Sequence, residues 1–180
     1  MSRQERPLEE KAAELKRAFD RSFAEAPATE RPSLEDFLAI RVGPDPYAVP
    51  LAAISGLYAD RTVTRLPSPV TESLGIAGFR GSIVAVYDLR VILGYPTGET
   101  PRWLMVAAET PVGLAFDGFE AYLRFPLRAK AQAGRVEQSH PYLQGVLRTA
   151  DAVRPVVQLG PILEALKRRV QAAARQEQRP

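Results

Sequence analysis

The chain has 180 residues, 46% hydrophobic and 25% charged, values close to the globular average that exclude a fibrous or wholly disordered class. A chain near this length buries roughly 70% of its unfolded surface, enough for one domain or two small fused modules. There is no cysteine, which removes disulfides, thiolate chemistry and Cys-ligated metals together. The net charge of +3 divides unevenly, being 0 over residues 1–31, −1 over 32–166 and +4 over 167–180, so the body carries no basic excess of the kind a nucleic-acid-binding fold presents.

Taken in chain order, the opening MSRQERPLEE is charged from its third residue and does not read as a secretion signal. The longest charge-free run, Pro46 to Ala59, has 14 residues and two prolines, too short and broken to span a bilayer. A cytoplasmic protein without direct membrane insertion is expected. Residues 7–26 place Leu8, Ala12, Leu15, Phe19 and Phe23 on one stripe of a 3.6-period helix. This amphipathic N-terminal helix, with the proline-bearing linker PATERPS, forms a first segment over 1–35, and its stripe suits a partner or a homotypic contact.

From Phe37 to Leu159 the pattern changes to short β-rich segments broken by Gly, Pro and Asp: FLAIRV, YAVPL, ISGLYA, SIVAVYDL, WLMVAAE, VGLAFDG, EAYLRF, LQGVLR and VRPVVQL. That spacing predicts a mainly β fold of small antiparallel barrels or sandwiches. IAGFRGSIVAVYDLRVIL (76–93) and LQGVLRTADAVRPVVQLGPIL (143–163) echo one another, each preceded by a related strand, PYAVPL or PVGLAF, so two similar modules are expected with a join near 94–102. In the strand after Gly81, residues Ile83 to Tyr87 are apolar on both faces, and the second face needs a cover from the sister module, a terminal helix or another protein. The chain closes on a helix over 160–180, with Ile162, Leu166, Val170 and Ala173 as its apolar face and a basic tail.

Chemistry is hard to place. His140 is the only histidine and lacks a partner set for a metal or a nucleophile. Gly75, Gly78 and Gly81 recur every three residues, which fits neither phosphate-binding glycine fingerprint. The aspartates at 45, 88, 117 and 151 stand at turns or strand ends without the spacing of a calcium loop. No catalytic residue, cofactor or metal is expected. Lys167, Arg168 and Arg169 could meet phosphate, but cations in a helix's last turns also complement its dipole.

The stretch GIAGFRGSIVAVYDLR resembles the signature of the CheW family of chemotaxis coupling proteins, Gly-x-x-x-x-Arg-Gly-x-Ile/Val-x-x-Val-x-Asp-Leu, with Gly75, Arg80, Gly81, Ile83, Val86, Asp88 and Leu89 in register. The likeness extends over 36–166 and leaves the N-terminal helix outside. It implies two SH3-like five-stranded β-barrels, the first about 36–94 and the second about 100–160, and no enzymatic activity. It also implies two partners, the regulatory domain of a CheA-type histidine kinase and the cytoplasmic tip of methyl-accepting chemoreceptors. Carried over by position, Arg80 matches an arginine needed for coupling, Gly75 a glycine by the receptor groove, and Ile54 an apolar position of that region. Gly78 stands where the family commonly has Asn, and Gly56 where it commonly has an acid, departures that bear on receptor preference.

From the residues alone Arg80 reads equally as a solvated Arg capping a turn or as a contact, and the resemblance favours the contact: a five-donor fork on a tight turn beside apolar strands suits a helix bearing carboxylates next to its apolar stripe. Gly81 is expected to take a positive φ there, and Asp88 to cap a short helix over 89–93. The alternative is an SH3-like module reading nucleic acid or a charged peptide tail, with residues 167–169 as its contact.

Overall fold

The computed structural model describes residues 34–99, 101–126 and 140–177. The helix expected over 7–26 lies outside the described residues. The body is mainly β, in chain order β1 (Leu34–Val42), β2 (Asp45–Pro50), β3 (Ile54–Ala59), β4 (Ser73–Phe79), β5 (Ser82–Asp88), helix α1 (Leu89–Ile92), β6 (Trp103–Ala107), β7 (Val112–Phe116), β8 (Gly118–Pro126), β9 (Leu143–Arg148), β10 (Val153–Val157) and helix α2 (Leu159–Glu177).

Ten strands form two five-stranded sheets, ordered β8-β1-β2-β10-β9 and β3-β6-β7-β5-β4. Adding five to each strand number of one repeat gives its counterpart in the other, so the two orders are the same pattern. The parallel pair β2–β10, joined at Ala48 and Val156, corresponds to the parallel pair β5–β7, joined from Ala85–Val112 to Asp88–Ala115.

This topology corrects the consecutive division at 36–94 and 100–160. Each sheet takes two strands from one repeat and three from the other, because after β2 the three-residue turn Leu51–Ala53 sends the chain across to the second sheet. The physical reason is that both parallel pairs need a partner strand reached by a long connection, and the other repeat's hairpin supplies an equivalent one.

Each sheet curls so that side chains of its two end strands share one core. In the second sheet, Tyr58 on β3 and Phe79 on β4 have ring centroids 4.7 Å apart, although three strands separate them in the ladder. In the first sheet, Leu123 and Phe125 on β8 pack on a cluster that includes Leu147 on β9. Three apolar cores follow. One sits inside each curl, and the largest lies between the sheets, built from Leu38, Ile40, Val49, Met105, Leu114 and Phe116 with Leu89 and Ile92 of α1 and Leu159, Ile162 and Leu166 of α2.

The two-faced β5 is explained by this arrangement. Val84 and Val86 enter the core inside the second sheet, while Tyr87 joins the central one. The cover is the sister sheet, with one exception: Ile83 remains 74% exposed.

In α2, Leu159, Ile162, Ala165 and Leu166 are buried, but Val170 is exposed, which corrects the expected stripe. At about 100° per residue, a row of i+4 steps drifts, so Val170 lies about 80° from Ile162 while positions 169 and 173 stay within about 20° of it. Those two do face the body: Ala173 packs on the central core and Arg169 pairs with the buried Glu72.

Candidate interaction site

The strand β4 carries two interior glycines, which dilute its apolar signal, and the sequence reading did not separate it as a strand. Its hairpin with β5 closes through the pair Phe79–Ser82 on a two-residue turn, Arg80-Gly81. Both have positive φ, 46° at Arg80 and 82° at Gly81. That is the mark of the primed hairpin turns whose twist matches the strands they join. A Cβ on Gly81 would meet nothing within 4 Å, so its backbone conformation, not space, calls for glycine.

The left-handed backbone of Arg80 is the unforeseen feature. A residue with a Cβ in the left-handed region costs roughly 1–2 kcal/mol, and Gly or Asn would sit there more easily. A long cation is held at this tip against local preference, exposed and without an ion pair among the described residues. Directly behind it, exposed Ile83 faces Gly78 across the ladder, and a Cβ on Gly78 would also meet open space. The tip therefore offers a guanidinium, an uncovered branched side chain and bare backbone together.

Phe79 anchors this tip from below. Its ring is 6% exposed and tilted against Tyr58, and the Arg61 guanidinium lies 5.2 Å from the Tyr58 ring centre and 5.7 Å from that of Phe79. Gly56 is part of the same arrangement: a Cβ there would fall 2.7 Å from the Tyr58 ring. The missing side chain leaves room for Tyr58 to fold back along β3 toward Phe79. The sequence does not point to Arg61, because the stack joins residues from opposite edges of a curled sheet.

The remaining signature residues hold the hairpin rather than face outward. Gly75 is buried beneath the Thr64–Arg65 backbone, with φ 128°. Val86 and Leu89 are fully enclosed. Ile54 is half-buried, opposite Ala107 at the start of β3. It stands four residues before Tyr58, about 13 Å along an extended strand. It is thus not gathered into the Arg80 tip.

Asp88, 5% exposed, accepts a hydrogen bond from Arg90 N at 2.8 Å and caps α1, while its own N–H donates to the Glu72 carbonyl. Burial raises its carboxyl pKa, against the lowering effect of the Arg90 N–H and charge. With the folded-state pKa above the unfolded one, the folded chain holds the proton longer, so stability is full below about pH 4 and falls as pH rises through the window above it. Asp88→Asn keeps an acceptor for Arg90 and does not ionise. In urea unfolding, the stability of the variant relative to the parent is expected to rise from pH 3.5 to pH 6; an identical pH dependence in the two would refute the assignment.

His140 is half-buried, with Nδ1 accepting from Tyr142 N at 3.4 Å and its ring edge-on to Tyr142, a local structural contact. Among the described residues no helix is long and apolar enough to cross a membrane.

A duplicated, strand-exchanged β domain presenting a strained cationic hairpin is the class that fold and site define. The family model described as CheW-like domain matches residues 36–167, and the chain belongs to that family. A solved structure, the scaffolding protein TtCheW from Thermoanaerobacter tengcongensis, is similar at 16% identity with a TM-score of 0.61, over 69% of this chain and 88% of that one. At that identity the likeness shows the fold. No curated protein matches the chain. Proteins of this family are non-catalytic scaffolds in chemotaxis signalling.

Proposed function

We propose that the chain is a non-enzymatic cytoplasmic adaptor that couples methyl-accepting chemoreceptors to a CheA-type histidine kinase. The carrying observation is Arg80, kept in a left-handed turn at a cost in stability and set beside exposed Ile83. Strain of this kind persists where it serves a contact. The partner that fits is a helix or strand edge with a carboxylate beside its apolar face, since a charge-assisted bond to a guanidinium adds to burial of Ile83. Gly75, Gly81, Val86, Asp88 and Leu89 set the hairpin's shape, and Ile54 belongs to a separate half-buried patch.

The nucleic-acid alternative loses support from α2. Arg169, one of the three cations that reading relies on, is committed to Glu72.

Two substitutions at one position test the proposal. Arg80→Glu is expected to leave the melt unchanged and to remove receptor-dependent recruitment in a pull-down with the kinase. Arg80→Gly is expected to abolish recruitment equally while raising stability by roughly 1 kcal/mol through relief of the left-handed strain. Recruitment that survives both changes would overturn the adaptor role of this hairpin.

A further inference from the structure

After β3, residues 61–66 run along the outer edge of β4, joined to it by paired hydrogen bonds between Thr64 and Ile76. Beneath this segment lies a cavity of about 70 Å³ that opens into the interior of the second sheet. Its floor is apolar, with Val63, Leu74 and Leu104, while Arg61, Arg65 and Arg102 stand around it. At roughly 10–15 Å³ per water-sized atom, it admits about five to seven heavy atoms, room for a four-carbon isobutyl group.

The charge around the mouth is unbalanced. Arg102 is paired with Asp60 through Nε at 2.9 Å and Nη2 at 3.0 Å. Among the described residues Arg61 has only the faces of Tyr58 and Phe79, and Arg65 makes no ion pair. Two guanidinia with no ion pair among the described residues therefore flank an apolar hole on a body whose net charge over 32–166 is −1. Neither an apolar group nor an anion alone suits this mouth. A branched aliphatic group with carboxylates on either side satisfies both the floor and the two free forks.

We infer that the mouth of the second sheet is a docking site for an acidic partner segment, which inserts one leucine- or isoleucine-sized side chain and rests its carboxylates on Arg61 and Arg65. The inference rests on the adaptor reading in one respect, that the ligand is part of another protein. Its arginines are distinct from Arg80, although Arg61 also rests on the Phe79 ring beneath the tip, so Arg65→Glu and Arg80→Glu make the two fail separately.

The test uses the full chain against a displayed library of random short peptides, with the Arg61→Glu, Arg65→Glu double variant for counter-selection. Sequences enriched on the parent alone are expected to carry Leu or Ile flanked by Asp or Glu. A peptide made from that consensus should lose about tenfold in affinity against Arg65→Glu, and about tenfold again when its leucine becomes alanine, as one charge-assisted bond and one buried side chain are removed. Both arginines are exposed, and unchanged melting of the variants checks that they fold. Enrichment without acids, or equal retention by the double variant, overturns the inference. So does tighter binding of a single-stranded oligonucleotide or of phosphatidylserine vesicles through the same arginines. If the peptide binds as expected while Arg80→Glu leaves kinase recruitment intact, the docking site stands and the kinase–receptor reading falls.

Discussion

Alanine at position 75 is expected to lower stability by at least about 3 kcal/mol, a fall in the thermal midpoint of roughly 6–12 °C for a domain of this size. Two independent effects add. The backbone of Gly75 lies at φ 128°, a region that residues with a Cβ enter only at a cost of roughly 1–3 kcal/mol. An added Cβ would also stand 2.0 Å from the Thr64 carbonyl oxygen and 2.9 Å from the Arg65 Cα. Both obstacles are backbone atoms, so no side-chain rotation relieves them. The crossing segment would have to lift from β4, breaking the Thr64–Ile76 hydrogen bonds and loosening the cover over Val63 and Leu74. The same variant should therefore weaken peptide binding at the cavity mouth while leaving the turn at Arg80 closed. A melt within 2 °C of the parent would mean that the close crossing does not exist in solution.

The structure adds to what a signature glycine does. By resemblance Gly75 lies by a partner groove; in the fold it is also the point where one backbone passes over another. Its conformational role could not be read from spacing alone, because what it meets is set by residues 61–66, which carry no periodic signal. The strand around it was equally hard to separate, since Gly75 and Gly78 interrupt the apolar alternation that marks β structure.

Other parts were open to reading because their cause is local. An Asp directly before Leu-Arg-Val-Ile after a run of valines is a helix cap in sequence, and Asp88 accepts from Arg90 N in the structure. A strand apolar on both faces demands a second cover, and the central core provides it. The repeat was visible too, through the glycine-turn-valine echo. What stayed hidden was the exchange between repeats. When two hairpins of similar pattern compete for equivalent partners, local preference is equal for either pairing, and only the long connections and the fit of the shared core decide. The misplaced Val170 has a similar origin, because a row of i+4 steps tracks the core for two turns and then rotates away from it.

The other large effect falls where the exchanged halves are tied together. Asp117, between β7 and β8, accepts from Gly43 N at 2.6 Å in the β1–β2 turn and pairs with the Arg90 guanidinium on α1. One carboxylate thus joins the turn of the first sheet to the helix that follows β5 of the second. The side chains of Arg90 and Asp117 are only 18% and 13% exposed. Removing one member leaves a largely buried charge that keeps only one face toward solvent, so the loss lies toward the lower end of the roughly 3–5 kcal/mol seen when a fully buried pair is broken. Asp117→Ala is accordingly expected to drop the midpoint by roughly 6–20 °C. Asp117→Asn keeps an acceptor for the Gly43 N–H and should lose distinctly less, and pairing Asp117→Ala with Arg90→Met should recover part of the loss by removing the stranded charge. Recovery in that double variant is the discriminating result, because a purely steric defect at position 117 would persist in it. Should Asp117→Ala alone melt like the parent, the link between the two sheets would have to lie in the shared apolar core, with the carboxylate an incidental neighbour.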